Sequence, residues 1–242
     1  MAREQLFISD LHLDPERPEV IALFLAFLQD RATEAGALYI LGDLFEYWIG
    51  DDDDRPGLAP VLDGLRALSA HGVPVHFMAG NRDFLVGERF AQSTGCTLLG
   101  DAHRIELLGQ PALLLHGDTL CTDDLAYQQL RGMLRHPDWQ HQFLSLPIAE
   151  RRRQAESLRA ESQSATREKA EAIMDVNAEA VAGCFREHDV PLLIHGHTHR
   201  PGRHELQVDG HARTRWVLGD WYHQGSVLRA DDKGLTLETL AP

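Results

Sequence analysis

Five short motifs combine aspartate, asparagine and histidine with glycine, and all of them follow short apolar runs. They are Asp10-Leu11-His12, Gly42-Asp43, Gly80-Asn81-Arg82-Asp83, His116-Gly117-Asp118 and Gly196-His197-Thr198-His199. A mixed set of oxygen and nitrogen ligands suits borderline divalent metals such as manganese, iron or zinc. The set lacks thiolates, which disfavours a structural zinc site. Neighbouring glycines let the backbone pass close to the ions. Each motif alone could be an ordinary turn, but their ordered recurrence favours one metal site.

The elements before these motifs predict a parallel sheet. Apolar runs at 6–8, 38–41 and 75–78 are predicted strands, and the helical spacing of apolar residues predicts helices over 18–34 and 57–70. Alternation of strand and helix is typical of parallel strands with right-handed crossovers, whose carboxyl ends meet at one edge of the sheet. Each of these strands ends in a side chain that can bind a metal.

The second half of the chain has a different pattern. A Gly-Gln turn joins strands 103–108 and 111–116, residues 191–195 form a buried strand, and strands at 203–208, 212–218, 225–230 and 234–240 look antiparallel. We therefore expect a single α/β domain, 1–242, built as a two-sheet αββα sandwich. Residues 122–187 are polar and rich in Arg, Glu and Ala, which predicts helices inserted between two strands. This insertion could be a lid over the site or only a solvated helical face.

Composition excludes several classes of protein. The net charge of -14 argues against a general nucleic-acid binder. The three cysteines lie far apart, form no disulfide framework and fit a reducing cytosol. The N-terminus lacks the apolar region of a signal peptide, and no run of about 20 apolar residues predicts a membrane span.

The order of the motifs resembles that of the calcineurin-like metallophosphoesterases over nearly the full length. This resemblance implies that Asp43 bridges two ions about 3.5–4 Å apart, which can activate water and clamp phosphoryl oxygens. The first ion would be held by Asp10, His12, Asp43 and His199, and the second by Asp43, Asn81, His116 and His197.

Arg82 departs from the motif of that superfamily, in which histidine often follows the asparagine and helps the leaving group depart. A guanidinium stays protonated and cannot readily act as a general acid, but it can clamp a phosphate with two hydrogen bonds. A nucleoside monophosphate leaves with less proton assistance than an alkoxide. Arg82 therefore favours cleavage of a pyrophosphate.

Several stretches, including one in the insertion, are more specifically similar to the UDP-2,3-diacylglucosamine pyrophosphohydrolases of lipid A biosynthesis. They are residues 7–13, 80–84, 173–177, 194–201 and 218–221. This resemblance implies water attack on the α-phosphorus of UDP-2,3-diacylglucosamine, giving 2,3-diacylglucosamine 1-phosphate (lipid X) and UMP, with two divalent ions, expected to be Mn²⁺. The implied catalytic residues are Asp43, Asn81, Arg82 and His116. The implied substrate contacts are Asn81, Arg82, Asp124, Ser162, Thr166, Lys169 and His197, of which the three in the insertion could equally be ordinary exposed helix residues.

A substrate with two acyl chains would give the insertion a purpose. An apolar slot could be lined by Leu125, Tyr127, Leu130, Met133, Leu134, Trp139, Phe143 and Leu146, although these residues could simply form the core of the lid. Basic residues could face an anionic leaflet or only solvent; they are Arg131, Arg135, Arg151, Arg152 and Arg153. We expect a peripheral protein on the cytoplasmic side of the bacterial inner membrane, with no protein partner inferred.

Two other functions stay open at this point. One is a phosphodiesterase of the same fold acting on soluble nucleotides, which the apolar and basic insertion disfavours. The other is a non-catalytic scaffold, which the complete ligand set disfavours. The acidic run Asp51–Asp54 follows Asp43 closely, but four adjacent acids cannot all converge on one ion, so we expect it to be a solvated loop.

Overall fold

The chain folds into two sheets that pack face to face. The computed structural model describes residues 3–168 and 175–241, without the side chains of residues 160–168. The first sheet has the order β11-β10-β1-β2-β3-β4. Its strands are β1 (Gln5–Ile8), β2 (Ala37–Leu41), β3 (Val75–Met78), β4 (Thr97–Leu99), β10 (Gly225–Asp231) and β11 (Gly234–Leu240). Strands β1 to β4 are parallel, and the β10–β11 hairpin adds to β1 antiparallel.

The second sheet has the order β5-β6-β7-β9-β8. Its strands are β5 (Ala102–Leu107), β6 (Gln110–Leu115), β7 (Leu192–His195), β8 (Gly202–Val208) and β9 (His211–Val217). The central strands β6, β7 and β9 are mutually parallel, while β5 and β8 pair antiparallel at the two edges. The second half is therefore less antiparallel than its sequence pattern indicates, because two parallel pairings lie at the centre of this sheet.

Helices cover both outer faces of the sandwich. The first sheet packs against α1 (Pro18–Asp30), α2 (Ala59–Ala70) and α3 (Glu88–Thr94), and the second packs against α7 (Ala178–His188). Between the sheets lies an apolar layer that includes Phe7, Leu41, Met78, Leu114 and Ile194. The predicted αββα sandwich is confirmed.

The described residues of the segment 122–187 are mostly helical. The segment contains α4 (Leu125–Leu134), α5 (Pro137–Leu144) and α6 (Ile148–Glu168), followed by α7. Helix α7 buries Val181 and Phe185 against Val190 and Leu193 on the outer face of the second sheet. Helices α5 and α6 instead contribute Trp139, Phe143 and Ala155 to the side of the molecule that carries β1 to β3. In the part of the chain that the model describes, no helix is both long and apolar enough to cross a bilayer.

Two local predictions are wrong in their boundaries. The helix predicted over 18–34 ends at Asp30, and a separate 3₁₀ turn covers Ala32–Glu34. The β5–β6 turn consists of Leu108 and Gly109, with φ of 54° and 78°, because Leu107 pairs with Gln110. A two-residue hairpin turn with two positive φ values matches the twist of the strands, and asparagine or glycine usually occupies it. In this hairpin the register places Leu108 at the first turn position instead.

This turn generates a prediction about stability. Replacing Leu108 by asparagine should raise the free energy of unfolding by roughly 0.5–1 kcal/mol, because asparagine tolerates the left-handed conformation better than leucine. Leu108 is 47% exposed, so little apolar burial is lost. Thermal unfolding should show an increase of about 1–4 °C in Tm. The neighbouring Leu107→Asn is the control and should lower Tm, because Leu107 is buried between the sheets. An unchanged or lower Tm for Leu108→Asn would contradict this account.

Candidate metal centre

The sandwich brings all seven predicted metal ligands to one edge. Asp10 follows β1, Asp43 follows β2, Asn81 follows β3, His116 follows β6 and His197 follows β7. Five of the seven have positive φ: Asp10 (56°), His12 (50°), Asp43 (52°), His197 (68°) and His199 (54°). Residues other than glycine rarely adopt this conformation, and such strain clusters at functional sites. The chain turns sharply at each strand end, which aims these side chains at a common centre.

The first group of side chains surrounds Asp10. Nε2 of His12 lies 3.4 Å from Nε2 of His199, and Nε2 of His199 lies 3.4 Å from Oδ1 of Asp10. Oδ2 of Asp43 is 3.8 Å from Nε2 of His12. One donor atom from each of Asp10, His12 and His199 fits within 4.8 Å of the others, and the same holds for Asp10, Asp43 and His116.

The second group surrounds Asn81. Its Oδ1 lies 2.9 Å from Nε2 of His116 and 2.9 Å from Nδ1 of His197. Oδ2 of Asp43 is 3.8 Å from Nε2 of His116, so Asp43 faces both groups. Asp10 also approaches both groups, since it clusters with Asp43 and His116 as well as with His12 and His199. The division of the seven side chains into two ligand sets stays a prediction.

The centre has the features that a bound cation requires. Among the described residues, Oδ1 of Asp10 is buried and accepts no hydrogen bond. A Cβ added at Gly80 would lie 2.2 Å from Oδ1 of Asp43, and one at Gly196 would lie 2.3 Å from Oδ2 of Asp10. Glycine is therefore needed for the loops to approach this closely. Carboxylate, amide and imidazole donors around an unsatisfied buried oxygen fit a divalent metal ion.

Groups behind the histidines fix which ring nitrogen faces the centre. Nδ1 of His116 lies 2.8 Å from the carbonyl oxygen of Leu41, and Nδ1 of His12 lies 3.2 Å from Oε2 of Glu46. Nδ1 of His199 is 3.6 Å from Oδ2 of Asp220. Such partners orient metal-binding histidines and raise their basicity. Sequence reasoning missed Glu46 as part of this site, because no short motif connects it to His12.

Asp83 ties the loops after β2 and β3 together. Its carboxylate accepts hydrogen bonds from the backbone N–H groups of Asp43, Leu44, Phe45 and Gly80, at 2.8–3.3 Å. In return, Oδ1 of Asp43 accepts a hydrogen bond from the backbone N–H of Arg82 at 2.8 Å. Burial and the neighbouring charge of Asp43 raise the pKa of Asp83 to about 6. Its place directly after Arg82 in the Gly-Asn-Arg-Asp motif is the signal that could have revealed this role.

The centre has a strongly negative field. Burial disfavours the ionised form of Asp10, but the adjacent His199 and the charges of His116 and His12 hold the pKa of Asp10 well below its usual range. Burial also disfavours protonation of His116, yet Asp43, Asp118 and Asp10 outweigh it and raise the pKa of His116 to about 9. Burial and the charge of His116 lower the pKa of His197 to about 4. Ionised carboxylates around a buried space attract cations.

Only some of the predicted substrate contacts lie at the metal centre or at the cavity beside it. Asn81 and His197 lie in the metal centre, and Arg82 lines a cavity beside it. Asp124 caps the N-terminus of α4, where its Oδ1 accepts a hydrogen bond from the N–H of Tyr127. The backbone of α6 includes Ser162 and Thr166, but their side chains and all of Lys169 lie outside the described features.

A cavity opens beside Asn81 and Arg82 between the insertion and the loops after β2 and β3. Five of the eight predicted slot residues line it: Tyr127, Leu130, Leu134, Trp139 and Phe143. Leu146 packs against the main core instead, and Leu125 and Met133 face solvent, being 70% and 48% exposed. The remaining apolar lining comes from the body of the protein, from Trp48, Ile49, Phe84 and Leu85, and from α6.

The prediction of a solvated loop at Asp51–Asp54 is wrong in part. Asp51 accepts hydrogen bonds from the N–H groups of Gly87 and Phe90, and Asp53 is buried. The five arginines for which the sequence leaves an anionic leaflet or solvent open all have acidic partners. Arg131 and Arg135 pair with Asp101, Arg151 with Asp52, Arg152 with Asp53, and Arg153 with Glu150. Acidic and basic runs that are distant in sequence meet in the fold and neutralise each other.

Residues 5–201 match the family model described as calcineurin-like phosphoesterase. The chain belongs to this family. A protein from Stenotrophomonas maltophilia (strain K279a) named UDP-2,3-diacylglucosamine hydrolase is 53% identical over 98% of both chains. One of the same name from Cellvibrio japonicus (strain Ueda107) is 52% identical over 96% of this chain and 97% of its own. These relatives and the donor cluster make the chain a metal-dependent hydrolase.

Solved structures also resemble the chain at a distance. A phosphoesterase from E. coli has a TM-score of 0.44 at 18% identity, covering 98% of this chain and 92% of its own. An archaeal phosphodiesterase has a TM-score of 0.46 at 12% identity, covering 98% and 99%.

The position of Asp83 generates a prediction about metal binding, although Asp83 is not itself one of the predicted ligands. Asp83→Asn places an amide NH₂ against backbone N–H donors, so it should lower the free energy of unfolding by roughly 1–3 kcal/mol. Loosening of the Asp43 loop should also reduce the metal content after dialysis, measured by elemental analysis. The control is Asp63→Asn on the surface of α2, which should change stability by less than about 0.5 kcal/mol. Wild-type stability and metal content in Asp83→Asn would show that Asp83 does not organise the site.

Proposed function

We propose that the protein hydrolyses the pyrophosphate bond of UDP-2,3-diacylglucosamine, giving 2,3-diacylglucosamine 1-phosphate and UMP in lipid A biosynthesis. The observation that carries this proposal is an apolar cavity that opens directly onto Asn81 and Arg82 beside the donor cluster. A soluble nucleotide would have no use for such a cavity, whereas acyl chains need one. The relatives named above bear the name of this activity over nearly their full length.

The proposed cofactors are two Mn²⁺ ions. Asp10, His12, Asp43 and His199 would hold the first ion, and Asp43, Asn81, His116 and His197 the second. When bound, such ions supply an activated water and neutralise charge on the phosphoryl oxygens. The position of Asp43 between the two groups of donors supports its role as the shared ligand.

The residues of the chain would bind and orient the substrate. Arg82 lines the cavity and directly follows Asn81 of the metal centre, so its guanidinium could bind the pyrophosphate with two charge-assisted hydrogen bonds. Asn81 and His197 would position the same group from the other side. Water attack on the α-phosphorus would break its bond to the bridging oxygen. The water oxygen would stay on UMP, and 2,3-diacylglucosamine 1-phosphate would be the leaving group. A phosphate leaving group needs less proton assistance than an alkoxide does. Asp124, Ser162, Thr166 and Lys169 remain proposed contacts of the sugar and acyl part.

The test is turnover with Mn²⁺ on the diacylated substrate and on its deacylated form. We expect efficient release of UMP only from the diacylated substrate, since the apolar cavity stabilises only that one. Asp43→Ala is the matched inactive variant and should lose both turnover and bound metal, because it removes the ligand that faces both groups. Equal turnover of the two substrates would favour a soluble nucleotide phosphodiesterase. Absence of turnover with metal bound would favour a non-catalytic scaffold.

Arg82 generates a separate prediction. Arg82→Ala should lower kcat/KM by roughly ten- to hundredfold, which corresponds to the loss of a charge-assisted phosphate contact of about 1.5–3 kcal/mol. Metal content should stay at the wild-type level, because only the backbone of Arg82 touches Asp43. The control is Arg89→Ala on the exposed surface of α3, with no expected effect on kcat/KM. Wild-type activity of Arg82→Ala would show that this side chain does not bind the phosphate.

The insertion, residues 122–187 within the single domain 1–242, would act as a lid that docks on the cytoplasmic face of the inner membrane. The five arginines considered above all pair with acidic residues of the chain, so apolar contact would supply most of the binding. Leu125 and Met133 lie about two turns apart on the exposed side of α4, while Leu130 of the same helix lines the cavity. A membrane contact on that side would bring the cavity close to the lipid substrate.

This arrangement generates a prediction about vesicle binding. The double change Leu125→Glu and Met133→Glu should weaken co-sedimentation with anionic vesicles by roughly tenfold or more, because it removes buried apolar area and adds repulsion. Binding of the wild type should survive moderate salt better than a contact made by arginines would. The control is Leu108→Glu, which changes an exposed leucine on the β5–β6 turn. Unchanged binding of the double variant would exclude α4 as the docking surface.

A further inference from the structure

The first turn of α6 contains a buried arginine that joins two separate parts of the cavity wall. The Arg151 side chain is 2% exposed. Its Nη1 donates hydrogen bonds to the carbonyl oxygen of Ile49 and to Oδ1 of Asp52, both at 2.7 Å, and its Nε donates to the carbonyl oxygen of Leu146 at 3.0 Å. Nη2 binds the second carboxylate oxygen of Asp52. The pairing is therefore bidentate, the geometry in which arginine and carboxylate bind most strongly.

A second ion pair continues this contact. Arg152 donates to Oδ1 of buried Asp53 at 2.7 Å, and Oδ2 of Asp53 lies 3.0 Å from Nε of Arg55. We call Arg151 and Arg152 with Asp52 and Asp53 the arginine clasp. Four charged residues from two distant segments of the chain thus meet at one place.

The backbone at Gly50 is shaped to admit the clasp. Its φ of 126° is one that side chains other than hydrogen rarely tolerate. A Cβ at this position would lie 2.5 Å from Nη1 of Arg151 and 2.8 Å from Cδ2 of Leu144. Close approach of the guanidinium to the backbone therefore depends on glycine at this position.

The arginine clasp forms hydrogen bonds to segments on both sides of the cavity. On one side it holds the segment after β2, which contributes Trp48 and Ile49 to the lining. This segment is fixed from behind by Asp51, which accepts a hydrogen bond from Nε1 of Trp48 at 2.9 Å. On the other side the clasp holds the α5–α6 corner, and those helices contribute Phe143 and Leu158.

We propose that the clasp makes Arg151 a specificity-determining residue, which sets the separation of the cavity walls and thereby the acyl chains that the enzyme accepts. This inference rests on the proposed function. A cavity held open in advance binds an apolar chain without spending binding free energy on ordering the lid. Walls joined at one fixed distance also accept one range of chain lengths and shapes better than others. Arg151 touches neither the donor cluster nor Arg82, so its effect is on substrate selection rather than on the chemical step.

The experiment compares kcat/KM over a series of UDP-2,3-diacylglucosamines of increasing acyl length, together with the deacylated UDP-sugar. The variants are Arg151→Lys, Arg151→Met and Asp52→Asn. We expect KM for the best acylated substrate to rise about tenfold in Arg151→Met and less in Arg151→Lys, which keeps the charge but not the bidentate contact. The dependence on acyl length should flatten, while metal content and the weak turnover of the deacylated sugar stay unchanged.

Asp52→Asn keeps the result decisive if removal of buried Arg151 prevents folding. The Asp52 side chain is 52% exposed, so this variant loses the ion pair without leaving a buried cavity. The matched control is Arg153→Gln, which changes the adjacent exposed arginine, whose partner is Glu150 in the same helix. An acyl-length profile parallel to the wild type in a folded clasp variant would overturn the proposal, as would an equal shift in Arg153→Gln. Failure of the proposed function can be distinguished from failure of the role of the clasp, because in the former case the wild-type protein itself would not prefer acylated substrates.

Discussion

The whole centre depends on how closely the loops after β2 and β3 approach each other. The carboxylate of Asp83 accepts N–H groups from both loops, and the two glycines on either side, Gly42 and Gly80, leave no room for a Cβ. This contact places Asp43 between the two groups of donors. Any residue larger than glycine at position 80 would push Asp43 away, so the metal centre requires close backbone packing as much as it requires its ligands.

The architecture explains why the ligands come from five separate strand ends. Parallel strands β1 to β3 in one sheet and β6 and β7 in the other place their carboxyl ends at a shared edge. Positive φ values at Asp10, His12, Asp43, His197 and His199 then turn the chain inward directly after the strands. Such strained conformations persist only when the surrounding structure holds them. The two packed sheets and the hydrogen bonds of Asp83 provide that constraint.

Sequence reasoning reached the fold and the candidate ligands because both depend on local patterns. Short apolar runs ending in Gly-Asp or Gly-Asn predict the strand and the ligand together. It did not reach Glu46 behind His12, or the pairing of Asp52 with Arg151, because these contacts join residues through the tertiary fold. It also misplaced the β5–β6 turn by one residue, since register is set by pairing across the whole hairpin and not by the glycine alone.

The charges of the insertion show why local composition misleads about partners. A locally basic stretch in an acidic protein suggests a surface for anionic lipid, yet Arg151 and Arg152 are matched by Asp52 and Asp53 of the body. Arg131 likewise pairs with Asp101 and with buried Asp118, which follows His116 in the donor cluster. The basic helices of the insertion and the acidic loops of the body therefore face each other and form ion pairs. These ion pairs attach the insertion beside the metal centre. The exposed apolar side chains of α4, Leu125 and Met133, remain available for an external contact.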